Sequence, residues 1–258
     1  MGKYEKELKF AKDLALKAGE IILKNFTHST VKIKDNYSPV TETDITISKM
    51  VISEVKKNFP THQVFDEEMQ NIDSESEYLW VCDPVDGTIP YSRGIPTSVF
   101  SLALCKNKKP VVAVAYDPYI KRLFYTTIDD VSYMNGKPVH VSNKILTPGE
   151  TIYMESYWLR QKGVNINNFF DYCIKKNILV SLVESIVYAS VLVANGSIPL
   201  NISTAASPWD RVAAILIVKN AGGVCLDEKG EDLTVFGNHK LFISSNGIAH
   251  KEIMNLLK

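Results

Sequence analysis

Two carboxylates three residues apart, followed by a glycine and a hydroxyl, make Asp83-Pro84-Val85-Asp86-Gly87-Thr88 the most chemically pointed string in this sequence. The apolar run at 79–82 reads as a buried strand that delivers Asp83 at its end. Pro84 fixes the turn, and Gly87 lets the backbone bend sharply or approach a ligand closely. Clustered carboxylate oxygens suit a hard, oxygen-seeking cation such as Mg²⁺. The amides of Gly87 and Thr88 suit a phosphate if a helix or nest begins there. A bare pair of acids at this spacing more often caps a turn, so the whole string carries the reading.

Three other places add acids. Asp66-Glu67-Glu68 follows a helix and a short loop and, alone, reads as a solvated acidic turn. Thr41-Glu42-Thr43-Asp44 places Asp44 as the N-cap of a helix. Pro208-Trp209-Asp210 puts a carboxylate in the first turn of an otherwise apolar helix, where the helix dipole favours it. None of the five histidines sits in a motif. The four cysteines, Cys82, Cys105, Cys173 and Cys225, are far apart with no CxxC pair, which argues against zinc or a disulfide framework and for reduced thiols in the cytosol.

The elements around these residues change rhythm along the chain. Residues 4–26 and 44–58 show helical spacing of apolar positions. Short apolar runs at 79–82, 99–105, 111–116, 123–126 and 131–133 read as antiparallel strands joined by short turns, one of them the polar cluster 106–110. After about residue 145, strands at 151–155, 178–183, 223–226 and 241–244 alternate with helices at 185–194, 210–220 and 249–257, an α/β pattern. The expected organisation is an α+β half, 1–145, with the acidic motifs, and an α/β half, 146–258, with a second wall of the site, the two packing as one unit.

Bulk composition excludes some classes. The 258 residues carry 29 basic and 29 acidic side chains, so there is no net charge to favour nucleic acid. The N-terminus is amphipathic rather than a signal peptide, and no apolar run approaches the ~20 residues of a membrane span. A cytoplasmic protein with no membrane or nucleic-acid partner is expected.

Taken together the motifs resemble the inositol monophosphatase family of Mg²⁺-dependent, Li⁺-sensitive phosphatases. They occur in the family's order: PVTETD at 39–44, DEE at 66–68, DPVDGT at 83–88, and WD at 209–210 leading to AGG at 221–223. Asn135-Gly136-Lys137-Pro138-Val139 is similar to the family's Asn-Gly turn and following strand. The resemblance implies a layered α-β-α-β-α sugar-phosphatase fold, usually a homodimer, holding two or three Mg²⁺ ions. It implies that Glu67 and the carbonyl of Val85 bind a first metal, that Asp83 bridges two, and that Asp86 and Asp210 complete the second. It implies that Asp44 and Thr88 orient the attacking water, with Glu67 among the catalytic groups and Gly87, Thr88, Asp86 and Asp210 close to the phosphate and substrate. The substrate implied is a small phosphorylated metabolite, inositol-monophosphate-like. Histidinol phosphate, a sugar bisphosphate and a 3′-phosphoadenosine nucleotide are the alternatives within the family. A non-catalytic binding protein that kept the fold is the alternative outside it, and its sign would be loss of a metal ligand.

Three stretches depart from the family pattern. Asp66 stands where the family has glycine, and it is expected to point to solvent. Glu184 replaces a glycine and Ile186 a small residue beside the substrate, implying a bulkier, more acidic lining. The family's inositol-binding glutamate falls near Ser203, in a stretch, 201–207, with no acid.

Overall fold

A computed structural model of the chain describes residues 2–34, 38–69, 76–155, 166–204 and 206–257. The first half builds a seven-stranded sheet. Its strands are β3 (Gln63–Asp66), β4 (Tyr78–Asp86), β5 (Val99–Lys106), β6 (Lys109–Asp117), β7 (Arg122–Thr127), β8 (Tyr133–Met134) and β9 (Lys137–Pro138), in sequential order across the sheet. β3 runs parallel to β4, and every later neighbour pairs antiparallel, as the short turns predict. A small hairpin, β1 (Val31–Ile33) with β2 (Pro39–Thr41), stands apart.

Period-two alternation assigns the two faces of this sheet. Trp80, Cys82, Phe100, Leu102, Leu104, Val112 and Val114 pack against α1 (Glu5–Asn25) and α2 (Glu42–Asn58). α1 buries Ala11, Leu14, Ala15, Ala18 and Ile22 there, the stripe its spacing predicts. Gly19 is the point of closest approach, since a Cβ would fall 2.3 Å from the Tyr116 ring. Leu79, Val81, Ala103 and Ala113 point the other way, onto α5 (Ile186–Ala194) and α6 (Pro208–Asn220). Each fully buried Leu or Ile contributes about 1.5–3 kcal/mol relative to exposure.

The second half builds a mixed sheet in the order β11-β10-β12-β14-β13. Its strands are β10 (Thr151–Met154), β11 (Leu179–Leu182), β12 (Leu200–Thr204), β13 (Val224–Leu226) and β14 (Leu241–Ser245). β10 is parallel to both neighbours, and β14 is antiparallel to both of its own. α5 and α6 cover one face. On the other, α4 (Asn167–Lys176) and α7 (His250–Ile253) bury Phe169, Cys173 and Ile253 against Ile152, Met154, Ile202 and Ile243. The layers are therefore α1/α2, sheet, α5/α6, sheet, α4/α7: the α-β-α-β-α order the resemblance implies.

Boundaries differ from expectation where local signals are weak. β4 does not stop at Cys82 but runs on to Asp86, with a register shift against β5 between Asp83 and Asp86. The strand expected at 131–133 is Tyr133–Met134, closed by Asn135 and Gly136, both at positive φ as a two-residue hairpin requires. The last helix ends at Ile253 and tightens into a 3₁₀ turn, Met254–Leu256. β1 lies exposed along its length, so no alternation marks it.

Candidate metal and phosphate site

Strand ends and helix starts converge on one cavity of about 280 Å³. It is lined on one side by Glu67, Asp83, Val85, Asp86, Gly87, Thr88 and Asp210, and on the other by Glu155, Glu184, Ile186 and Thr204. Ligand-type oxygens of Asp83, Asp86 and Asp210 lie within 4.8 Å of one another.

Each carboxylate is placed by its own backbone. The end of β4 supplies Asp83, whose Oδ1 accepts the Val85 amide at 3.1 Å. Gly87, at φ 92°, caps a five-residue helix, α3 (Thr88–Ser92); a Cβ there would fall 2.9 Å from Ser185 and 3.2 Å from the Glu184 carbonyl oxygen. Only glycine satisfies both the left-handed turn and that close approach. Asp210 is the third residue of α6, and its Oδ2 accepts the Ser207 amide at 2.5 Å.

Asp44 is not the N-cap that its sequence context predicts. Thr41, extended at the end of β2, takes that place, and Asp44 is the third helical residue of a capping box. Its Oδ2 accepts the Thr41 amide at 2.8 Å, while Oδ1 lies 3.5 Å from Thr88 Oγ1. The Thr88 hydroxyl also lies 3.1 Å from the Val85 carbonyl oxygen, so its one proton has two acceptors within reach.

Asp86 is held in a way the sequence does not announce. It accepts from Ser185 Oγ and from the amides of Ile186 (3.1 Å), Val187 (2.9 Å) and Tyr188 (3.3 Å). A first-half carboxylate thus caps the N-terminus of α5 in the second half, where the helix dipole favours an anion.

Asp66 does not point to solvent. It is 0% exposed; Oδ1 accepts Ser48 Oγ at 2.7 Å and the amides of Glu68 and Met69 at 2.9 and 3.2 Å. The carboxylate replaces glycine with an Asx-type turn that fastens the Glu67 loop to α2. Glu67 and Glu68 share Lys34, whose Nζ lies 3.0 and 2.6 Å from them.

Electrostatics marks this group as a cation site. Burial, then repulsion from Glu67, Asp86 and Asp210, pushes the Asp83 carboxyl well above its usual range. Burial, then Asp86 and Glu67, does the same to Asp210. Burial raises Asp86 to about 6 against the opposing hydrogen bonds from α5, and Asp44 to about 6 against those from Thr41. Crowded, desolvated carboxylates of this kind ionise fully when a divalent cation joins them. The donor set, all oxygen and mostly carboxylate, fits Mg²⁺ rather than a thiolate-seeking metal.

On the far wall, Glu184 lines the cavity as the resemblance implies, but Ser203 does not. Ser203 is buried on β12, its Oγ accepting from Asn201 Nδ2 at 3.2 Å. Strand alternation turns the next residue, Thr204, to the cavity instead. Glu155 was not anticipated. It directly follows β10, and the signal that finds it is the one that marks Asp66 and Asp83, an acid at the C-terminal end of a strand. A separate grouping, Asp227, Glu228 and His239, lies outside this cavity, and its oxygens brace backbone amides of the loop between β13 and β14.

Comparison with known proteins agrees with this geometry. A profile of the inositol monophosphatase family matches residues 3–258. The chain is 32% identical to inositol monophosphatase 1 of Solanum lycopersicum, over 91% of this chain and 89% of that one. It is 29% identical to a histidinol-phosphatase of Chlorobaculum parvum, over 90% and 89%. A solved Thermotoga maritima IMPase superposes with a TM-score of 0.87 at 26% identity, covering 97% of this chain and 96% of its own. Motif order, layered fold and carboxylate cavity therefore converge: the chain belongs to the inositol monophosphatase family, Mg²⁺-dependent phosphoric monoester hydrolases of small phosphorylated metabolites.

Proposed function

We propose that this cavity hydrolyses an inositol-monophosphate-like phosphomonoester by attack of a metal-activated water. The observation that carries the assignment is the meeting of Asp83, Asp86 and Asp210 within 4.8 Å at the start of α3. Glu67, Asp83 and the Val85 carbonyl would hold one Mg²⁺, and Asp83, Asp86 and Asp210 would hold a second. Bound Mg²⁺ neutralises charge on the phosphoryl oxygens and makes the proton of a bound water easier to lose. Asp44 and Thr88 orient that water, an assignment supported by the 3.5 Å approach of Thr88 Oγ1 to Asp44 Oδ1. The amides of Gly87 and Thr88 receive the phosphate. Phosphoryl transfer through a loose transition state needs this positioning and charge neutralisation more than a covalent nucleophile.

A histidinol-phosphate substrate is the second reading, favoured by the similarity to a histidinol-phosphatase. Phosphate release from a panel of small phosphomonoesters with Mg²⁺ separates the two. Release from none of them contradicts both. Li⁺ is expected to inhibit, a reading supported by the LiCl-soaked inhibitory complex of a Staphylococcal inositol monophosphatase. Indifference to Li⁺ contradicts that.

We also propose a cytoplasmic homodimer. Among the described residues no helix is long and apolar enough to cross a membrane, and all four cysteines are free and buried. β11, an edge strand, exposes Leu179 and Leu182, an apolar edge that a second copy would cover. Light scattering at micromolar concentration tests the oligomer, and a monomeric mass contradicts it.

A further inference from the structure

The metal chemistry does not use the positive charge buried beside it. Arg211 directly follows Asp210 on α6 and is only 4% exposed. Its guanidinium reaches the loop between β13 and β14. Nε donates to the Val235 carbonyl oxygen at 2.8 Å, and Nη2 donates to that of Gly237 at 2.7 Å. Both acceptors are neutral. Burial pulls the guanidinium pKa down, and the neighbouring Asp210 carboxylate works the other way. A fixed cation beside a cation site repels the incoming cation. The charge of Arg211 is therefore a liability there, and its planar fork of donors is what the site gains.

The fork fastens a loop that is braced within itself. Asp227 Oδ1 accepts the amides of Lys229 and Glu231 at 2.9 and 3.0 Å, and Glu228 Oε2 accepts that of Lys240 at 3.0 Å. Asp227 Oδ2 lies 3.5 Å from His239 Nδ1, and His239 Nε2 lies 3.0 Å from Thr234 Oγ1. Between the two carbonyls that Arg211 holds sits Phe236. Its ring lies 6.5 Å from that of Phe65, and Phe65 meets Trp209 edge-on at 5.2 Å. Phe65 belongs to β3, two residues ahead of Glu67, and Trp209 immediately precedes Asp210. The loop thus touches two sources of cavity acids, α6 through the guanidinium and β3 through an aromatic cluster. We propose that Arg211 is a positioning residue: by clamping the 235–237 loop to the first turn of α6, it fixes Asp210 and Glu67 relative to each other. This rests on the metal-dependent phosphatase reading above and adds to it a residue that does not line the cavity.

The test measures Mg²⁺ affinity by isothermal titration calorimetry without substrate, then kcat and KM for a polyol monophosphate and p-nitrophenyl phosphate. Arg211→Met removes both fork and charge, and is expected to weaken Mg²⁺ binding by roughly tenfold. If the charge alone mattered, the same variant would bind Mg²⁺ more tightly, so the direction of the change decides. Arg211→Lys keeps the charge but lacks the planar fork, and weakens binding by less. Phe236→Leu loosens the other attachment of the loop without touching the charge. It moves the affinity in the same direction, which keeps the test open if Arg211→Met does not fold. At saturating Mg²⁺ the ratio of kcat/KM for the polyol monophosphate to that for p-nitrophenyl phosphate stays at its wild-type value, because the substrate side of the cavity is untouched. Variants that melt lower in EDTA yet bind Mg²⁺ with wild-type affinity have lost a structural bond only, and overturn the proposal. So do tighter binding by Arg211→Met and a moved substrate ratio. A wild type that binds no Mg²⁺ refutes the metal-site reading itself, a different result from a wild type that binds and variants that match it.

Discussion

The two walls of the cavity are built by different rules. The metal wall gathers its acids from short strings in which backbone and side chain act together: a strand end and turn for Asp83 to Thr88, and helix first turns for Asp44 and Asp210. The far wall gathers Glu155, Glu184 and Thr204 from three separate segments that only the register of β10 and β12 and the start of α5 bring together. The first wall is crowded with mutually repelling carboxylates that call for a cation. The second carries Glu155, fixed by the amide and hydroxyl of Thr204. On the proposed function, chemistry belongs to the first wall, and Asp86, capping α5 from the first half, ties the two walls together.

Substitutions can break that division. The largest effect belongs to Asp83→Asn, which is expected to lower kcat by roughly 10³-fold or more, about 4 kcal/mol of transition-state stabilisation. Substrate order in the panel should stay the same at whatever rate survives. A changed order would show that the metal wall also selects substrate.

pH probes the same wall without mutation. Between the ordinary value of 3.8 and its folded value of about 6, Asp44 binds more protons folded than unfolded. The metal-free protein therefore loses stability as pH rises through that window, by roughly 3 kcal/mol from this one group. In EDTA the melting temperature is expected to be higher at pH 5 than at pH 7.5, and Mg²⁺ to raise it more at pH 7.5. A melting temperature that rises with pH in EDTA would contradict the cation-site reading.

Thr88→Ala should lower kcat by roughly 10–100-fold with little change in KM, because orienting a water acts on the transition state. A change confined to KM would move Thr88 to the substrate side of the comparison. The smallest effect is expected from Asp66→Gly, which removes the acceptor of Ser48 and two amides at a cost of about 1–2 kcal/mol. Denaturant midpoints read that loss. Weaker Mg²⁺ binding should accompany it, because the Glu67 loop loses its fastening, while the polyol to p-nitrophenyl phosphate ratio holds.

The same division explains what the sequence reveals. The layered fold and the metal wall are legible because strand period, helix period and the DPVDGT string are local. Asp44 and Asp210 are found by their helix starts, though each is the third helical residue and not the cap, a shift that a capping box makes hard to see from residue types alone. Asp66 misleads because an acidic turn normally faces water, and only the tertiary approach of Ser48 makes burial tolerable. Ser203 misleads because counting back from Asp210 does not say which face of β12 a residue takes. Glu155 is marked only by its place after a strand, because its partner, Thr204, lies 49 residues away and meets it only through sheet register.

Phosphate release from a polyol monophosphate, followed through a Mg²⁺ titration for wild type and Asp83→Asn, tests the central claim most directly. The account predicts saturable, Mg²⁺-dependent release by the wild type, none in EDTA, and near-complete loss in the variant at every Mg²⁺ concentration. Release that persists in EDTA, or near-normal turnover by Asp83→Asn, would contradict it.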